Sequence, residues 1–153
     1  MRISSIETSF IDYPGQTSMV IFMTGCTMGC PNCHNPALQD PNFGSEASVA
    51  DLKDELAKRS LCRAVVFSGG DPLFQEQELI LACKELSKLV KIGIYTGRSL
   101  KDVPVELFQY ISFLKTEPYI EKLGSVQYLT TNQKCWDIVE GIAVENKEYF
   151  KIQ

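Results

Sequence analysis

Three short apolar runs limit what this chain can become. Ser18–Thr24 (SMVIFMT), Arg63–Ser68 (RAVVFS) and Ile92–Thr96 (IGIYT) are continuous rather than alternating. Runs of that kind fit strands covered on both faces. Helical patterns lie between them. Ser48 and Asp51 have capping-box spacing, and Val49, Leu52 and Leu56 then share a face. After the second run, Gly69-Gly70-Asp71-Pro72 breaks the chain; Asp71 suits a helix cap and Pro72 a first turn. Leu79, Cys83, Leu86 and Val90 follow at helical spacing. A short helix over Val105–Tyr110 and a fourth strand, Ile111–Lys115, complete the series.

This alternation predicts a parallel sheet with helical crossovers. The units are too few to close an eight-fold barrel. The expected fold is therefore α/β: a small partial (open) βα barrel, mostly parallel, in a single domain. Residues 1–18 read as an arm or hairpin around Tyr13-Pro14-Gly15, and residues 25–47 as a long loop. The tail 116–153 is less regular, with Val126–Leu129 and Tyr149–Ile152 as candidate strands. The first loop, the Gly-Gly-Asp-Pro turn and Thr96-Gly97 all fall at the C-terminal ends of strands. Open α/β sheets place their ligands at those ends.

Charged residues make up 22% of the 153 positions and the net charge is −4. A nucleic-acid binder needs a concentrated basic face, so that class is disfavoured. The opening MRISSIETSFIDYPG lacks the apolar core of a signal peptide, and no apolar run is long enough to span a bilayer. The expectation is a cytoplasmic protein with no membrane partner. There, six cysteines are not expected to pair as disulfides.

Three cysteines and the only histidine fall inside TGCTMGCPNCHN, residues 24–35. Cys30-x-x-Cys33-His34 matches a c-type haem string, but such haems normally form outside the cytosol. Cys26, Cys30, Cys33 and His34 also count as four zinc donors. The adjacency of Cys33 and His34 makes joint coordination of one ion awkward, and no distant second knuckle is visible. The third reading gives Cys26, Cys30 and Cys33 to an iron–sulfur cubane, leaving one iron without a protein ligand. By analogy with open catalytic metal sites, that gap is where a substrate binds.

Cys26-Thr-Met-Gly-Cys30-Pro-Asn-Cys33, followed by Gly69-Gly70-Asp71-Pro72 with Ser68 before it, resembles the radical S-adenosylmethionine (SAM) superfamily. The likeness runs from Ile11 to about Gln133. Within it, IDYPGQTSMVIFMTGC, CHNPAL, YTG and the late GSVQYLTTNQ are similar to the activating proteins of anaerobic ribonucleoside-triphosphate reductase. One departure is Asn32, where those families commonly carry an aromatic residue or glycine. The resemblance implies a single radical SAM domain over 1–153, with one [4Fe–4S] cluster on Cys26, Cys30 and Cys33. SAM would bind the open iron. Its reductive cleavage would yield a 5′-deoxyadenosyl radical, which would take hydrogen from a glycine of the reductase large subunit. A low-potential donor of flavodoxin or ferredoxin type would supply the electron.

On the same footing, Ser68, Gly69, Gly70 and Asp71 would meet the amino end of SAM. Asn32, Cys33 and His34 would lie toward adenine, and Thr96 and Gly97 toward ribose or carboxylate. Lys115 would pair with a carboxylate; the plainer reading of Lys115 is a solvated strand-end charge. His34 alone equally suits a hydrogen bond to loop backbone. Asn132 and Gln133 fit the site or a partner surface. Cys62 and Cys83 read as core and Cys135 is unassigned. Two alternatives stay open. One is a small radical SAM enzyme of the deazaguanine-forming type, although an Asp-Thr pair common there is replaced by His34-Asn35. The other is a non-enzymatic metal-binding module.

Overall fold

The computed structural model describes residues 1–151. The apolar runs form the middle of one eight-stranded open sheet. Its strands are β1 (Arg2–Tyr13), β2 (Gln16–Met23), β3 (Ser45–Glu46), β4 (Ala64–Gly69), β5 (Lys91–Tyr95), β6 (Phe113–Thr116), β7 (Lys134–Val139) and β8 (Ile142–Glu145). The spatial order is β3-β1-β2-β4-β5-β6-β7-β8. β2, β4, β5 and β6 are parallel neighbours, and antiparallel strands flank them on both sides. The four expected strands thus appear within two residues of their expected limits.

Helix α1 (Val49–Ala57) links β3 to β4, and α2 (Glu76–Leu86) links β4 to β5. Ser48 caps α1 through the expected reciprocal bonds with Asp51. Asp71 caps a 3-10 turn, Pro72–Gln75, that leads into α2. The Val105–Tyr110 helix is a 3-10 segment, Val105–Gln109. No described helix is long and apolar enough to cross a membrane.

Strand periodicity sorts the core onto two faces. Met19, Ile21 and Met23 of β2, with Val65 and Phe67 of β4, pack against Leu52 of α1 and Leu79 and Leu86 of α2. Val20 and Val66 point the other way, into a smaller cluster with Tyr13, Phe113 and Cys135. Both faces are covered, which is why the runs are continuous in apolar character. Cys62 and Cys83 are buried in the helix-side core, as expected of them.

At the N-terminal end the expected arm or hairpin is a hairpin, whereas the strands expected in the tail are corrected. The N-terminal arm is a twelve-residue strand, β1, joined to β2 by a turn at Pro14-Gly15. Val126–Leu129 is turn rather than strand. The edge of β6 that such a strand would need is taken by β7. Tyr149 and Phe150 are also turn residues, and Ile152 lies outside the described residues.

Candidate functional site

At the C-terminal ends of the parallel strands lies a cavity of about 320 Å3. Cys26, Cys30 and Cys33 all line it. Their loop is stitched at both ends by backbone. Gly25 N–H donates to Leu38 O (2.8 Å) and Cys26 N–H to Gln39 O (3.2 Å). Asp71 N–H donates to Gly25 O (2.9 Å), and Gly70 N–H to Met23 O (2.9 Å). The glycine turn is therefore bonded directly to the cysteine loop.

That contact dictates the two glycines. A Cβ on Gly70 would lie 2.5 Å from Leu38 O and 2.6 Å from Gly25 O. Gly69 has φ +116°, and its Cβ would lie 2.2 Å from Met23 O. Neither position admits a side chain without moving backbone.

Ser68, Gly69 and Gly70 line the cavity, as do Thr96, Gly97 and His34. Asp71 and Asn32 are not in its wall. Asp71 is 2% exposed and faces inward. Its Oδ1 accepts from Leu73 N–H (3.0 Å) and Thr96 Oγ1 (2.9 Å), and Arg98 Nε lies 3.7 Å from Oδ2. Thr96 Oγ1 in turn accepts from Arg98 N–H (3.1 Å). Asp71 thus ties the end of β4 to the end of β5. Burial pushes its carboxyl above the usual range, against those hydrogen bonds and Arg98. Asn32 takes a left-handed conformation (φ 54°) and donates to Glu121 Oε2 (2.6 Å).

The donor set fits a thiolate-bound cluster. Met28 N–H points at Cys26 Sγ (3.4 Å), and burial pushes the Cys26 thiol up, with Cys30 and Cys33 adding to the rise. A bound metal reverses that logic by taking the thiolate directly. Among the described residues, no three His, Cys, Asp or Glu side chains converge on a single-ion position. His34 is stacked against Tyr119, ring centroids 4.4 Å apart.

Lys115 lies in the cavity wall, which corrects its reading as a solvated charge. Its Nζ sits 5.3 Å from the Tyr95 ring centroid. Burial lowers its pKa to about 8, with Cys135, Asp71 and Cys30 opposing that fall. Gln133 is buried and lines the same cavity, while Asn132 donates to Pro118 O (3.0 Å) outside it.

Glu117, Tyr119 and Tyr95 were not anticipated in this wall. Glu117 stands just past the end of β6, where strand alternation no longer applies. Its φ of 76° is uncommon for a residue with a Cβ. Its Oε2 accepts from Ser99 Oγ (3.1 Å). Tyr119 lies in an irregular loop, where no pattern pointed to it.

Comparison with known proteins gives this arrangement a context. Residues 12–138 match the family model described as "4Fe-4S single cluster domain". An anaerobic ribonucleoside-triphosphate reductase-activating protein of Enterobacteria phage T4 is 26% identical over 149 residues, spanning 87% of this chain and 91% of the phage protein. A pyruvate formate-lyase-activating enzyme of Listeria monocytogenes is 38% identical over 85 residues, 52% of this chain. That match spans only 34% of the Listeria protein. The crystal structure of QueE from Escherichia coli shares the fold, with a TM-score of 0.53 at 20% identity over 63% of this chain and 52% of that one.

Proposed function

The chain belongs to the 4Fe-4S single cluster domain family and is a radical SAM enzyme; from that premise we propose that it activates an anaerobic ribonucleoside-triphosphate reductase by installing a glycyl radical. The observation that carries the proposal is the sharing of one cavity by three cysteine thiols and the Gly69–Gly70 turn. The near full-length match to the phage activating protein supports the choice of partner.

Cys26, Cys30 and Cys33 would hold the cluster. Held there, the cluster would supply the electron for reductive cleavage of SAM, whose deoxyadenosyl group would remove hydrogen from a backbone glycine. The chain's own residues bind and orient. The Ser68–Gly70 backbone lines the cavity and meets the amino end of SAM. The Lys115 ammonium pairs with the carboxylate. Thr96 and Gly97 meet the ribose, with Thr96 held in place by Asp71. Cys33 and His34 face the adenine side, whereas Asp71 and Asn32 act on the site's framework. Phe22 and Met28 give the cavity apolar wall that keeps water from a reactive species.

This reading places the enzyme in the cytoplasm with a flavodoxin- or ferredoxin-type donor. Anaerobic reconstitution should load about four irons per chain. Reductant and SAM should then release 5′-deoxyadenosine, and added reductase should show a glycyl radical by electron paramagnetic resonance. Deoxyadenosine without a protein radical moves the substrate to a small molecule. Zinc as the sole metal bound under strict anaerobiosis rejects the cluster.

A further inference from the structure

A second cavity, of about 420 Å3, adjoins the first. The two share His34, Tyr119 and Ser125 as wall. The rest of the second wall comes from residues 121–130, a segment whose only helical turn is Glu121–Leu123. The segment is held in shape by threonines at and just past its C-terminal end: Thr130 Oγ1 donates to Leu123 O (2.7 Å) and, one residue on, Thr131 Oγ1 donates to Gly124 O (3.0 Å). Asn32 on the cysteine loop donates to Glu121 and couples the two regions.

Tyr128 lines this cavity, and Ile120 and Leu129 are chain neighbours of the wall residues Tyr119, Glu121, Tyr128 and Thr130. Ile120 is 41% exposed, Tyr128 48% and Leu129 79%. Three large apolar side chains within ten residues, next to a reaction cavity, mark a contact surface rather than scattered exposure. A second depression also meets the reaction cavity, sharing Met28, Gly97 and Glu117. Its wall carries Arg98 and Asp102, and none of its residues is an exposed large hydrophobic.

The proposed reaction needs two occupants, SAM and a stretch of polypeptide whose glycine reaches the SAM cavity. We propose that the second cavity receives that glycine-bearing segment of the reductase, which docks on Ile120, Tyr128 and Leu129 and enters past the His34–Tyr119 pair. This inference rests on the function proposed above. Continuity of the two cavities gives the path, and the apolar rim gives the affinity. The charged depression offers a path without the rim.

The test uses reconstituted enzyme with Gln127→Trp, which fills the second cavity, Leu129→Asp, which charges its rim, and Asp102→Trp in the other depression. Iron content reports folding. With reductant and SAM alone, all three variants should release deoxyadenosine within about twofold of the parent. With reductase present, Gln127→Trp and Leu129→Asp should lower the glycyl-radical yield about tenfold or more, and Asp102→Trp should not. Parental radical yields from the first two variants overturn the assignment. So does a loss confined to Asp102→Trp. A parallel loss of deoxyadenosine in Gln127→Trp and Leu129→Asp gives the cavity to SAM and also overturns it. A parent enzyme that releases deoxyadenosine but never forms a protein radical rejects the proposed function itself, and the docking proposal with it.

Discussion

Residues 16–96 and residues 113–151 wall the same cavity by different means. In the first region every wall loop leaves a buried parallel strand, and the loops are bonded to each other through backbone, as at Asp71 N–H to Gly25 O. In the second, β6 is followed by a long connection and an antiparallel hairpin. The connection adds to its local backbone turns a set of side chains reaching backbone, such as Asn132 to Pro118 O and Gln133 Nε2 to Glu117 O (3.5 Å). Backbone stitching fixes a position whatever the side chains do. Side-chain tethers leave a wall that can be rebuilt by substitution. On the proposed function, cluster chemistry would sit on the backbone-bonded wall and partner choice on the side-chain-tethered one.

The largest effect should come from the rigid wall. Cys26→Ala should abolish iron loading and SAM cleavage together, while Cys83→Ala, buried among α2 core residues, should keep both. Iron content and deoxyadenosine release after anaerobic reconstitution distinguish them. Equal iron in the two variants breaks the comparison at its root.

Next comes the stitching. Gly70→Ala puts a Cβ against two carbonyl oxygens, Leu38 O and Gly25 O. Backbone must shift, so SAM affinity should fall about tenfold or more, as for a displaced binding group. Calorimetry on reconstituted enzyme reads this directly. Unchanged affinity would show that the turn tolerates movement and only frames the site.

The smallest effect is a pH dependence from the second region. Lys115 has its pKa lowered to about 8, so its ammonium is lost as pH rises through that value. On the proposed pairing, binding the SAM carboxylate needs the charge. Affinity should therefore be flat below about pH 8 and fall above it, by at most about tenfold per pH unit. Lys115→Met should bind more weakly at neutral pH and lose the dependence. A parent enzyme whose affinity is level from pH 7 to 9.5 removes Lys115 from carboxylate binding.

Much of the first region was legible in the residues. SMVIFMT and RAVVFS are continuous because α1 and α2 cover one face and the Tyr13–Phe113 cluster covers the other. The Ser48–Asp51 capping box is a local pattern and formed as a local pattern must. β1 was harder. RISSIETSFIDY has only Ile3 and Tyr13 buried, so its residues left an arm and a hairpin both open. The β7–β8 hairpin did carry a signal. Glu140-Gly141, both at positive φ, form the two-residue turn between KCWDIV and IAVE.

The site divides in the same way. The cysteine spacing and the Gly-Gly-Asp-Pro turn are short-range patterns, and short-range chemistry suffices to read them. Which side chains face the cavity is a long-range matter. Asp71 turned inward because the end of β5 offered Thr96 and Arg98 as partners, 25 and 27 positions away in sequence. Lys115 faces the cavity because its place on β6 points it there, opposite Cys135 on β7. His34 met Tyr119 across 85 residues of chain.

By itself the sequence determined the parallel strands, the helix start at Ser48 and the family of the cysteine loop. Each depends on neighbours within a turn or a strand. Only the tertiary structure decided that Asp71 braces the site from behind, that Lys115 is walled into the cavity, and that a second cavity opens beside His34. Those outcomes depend on which strand ends are brought side by side. Sheet order sets that, and no local pattern encodes it.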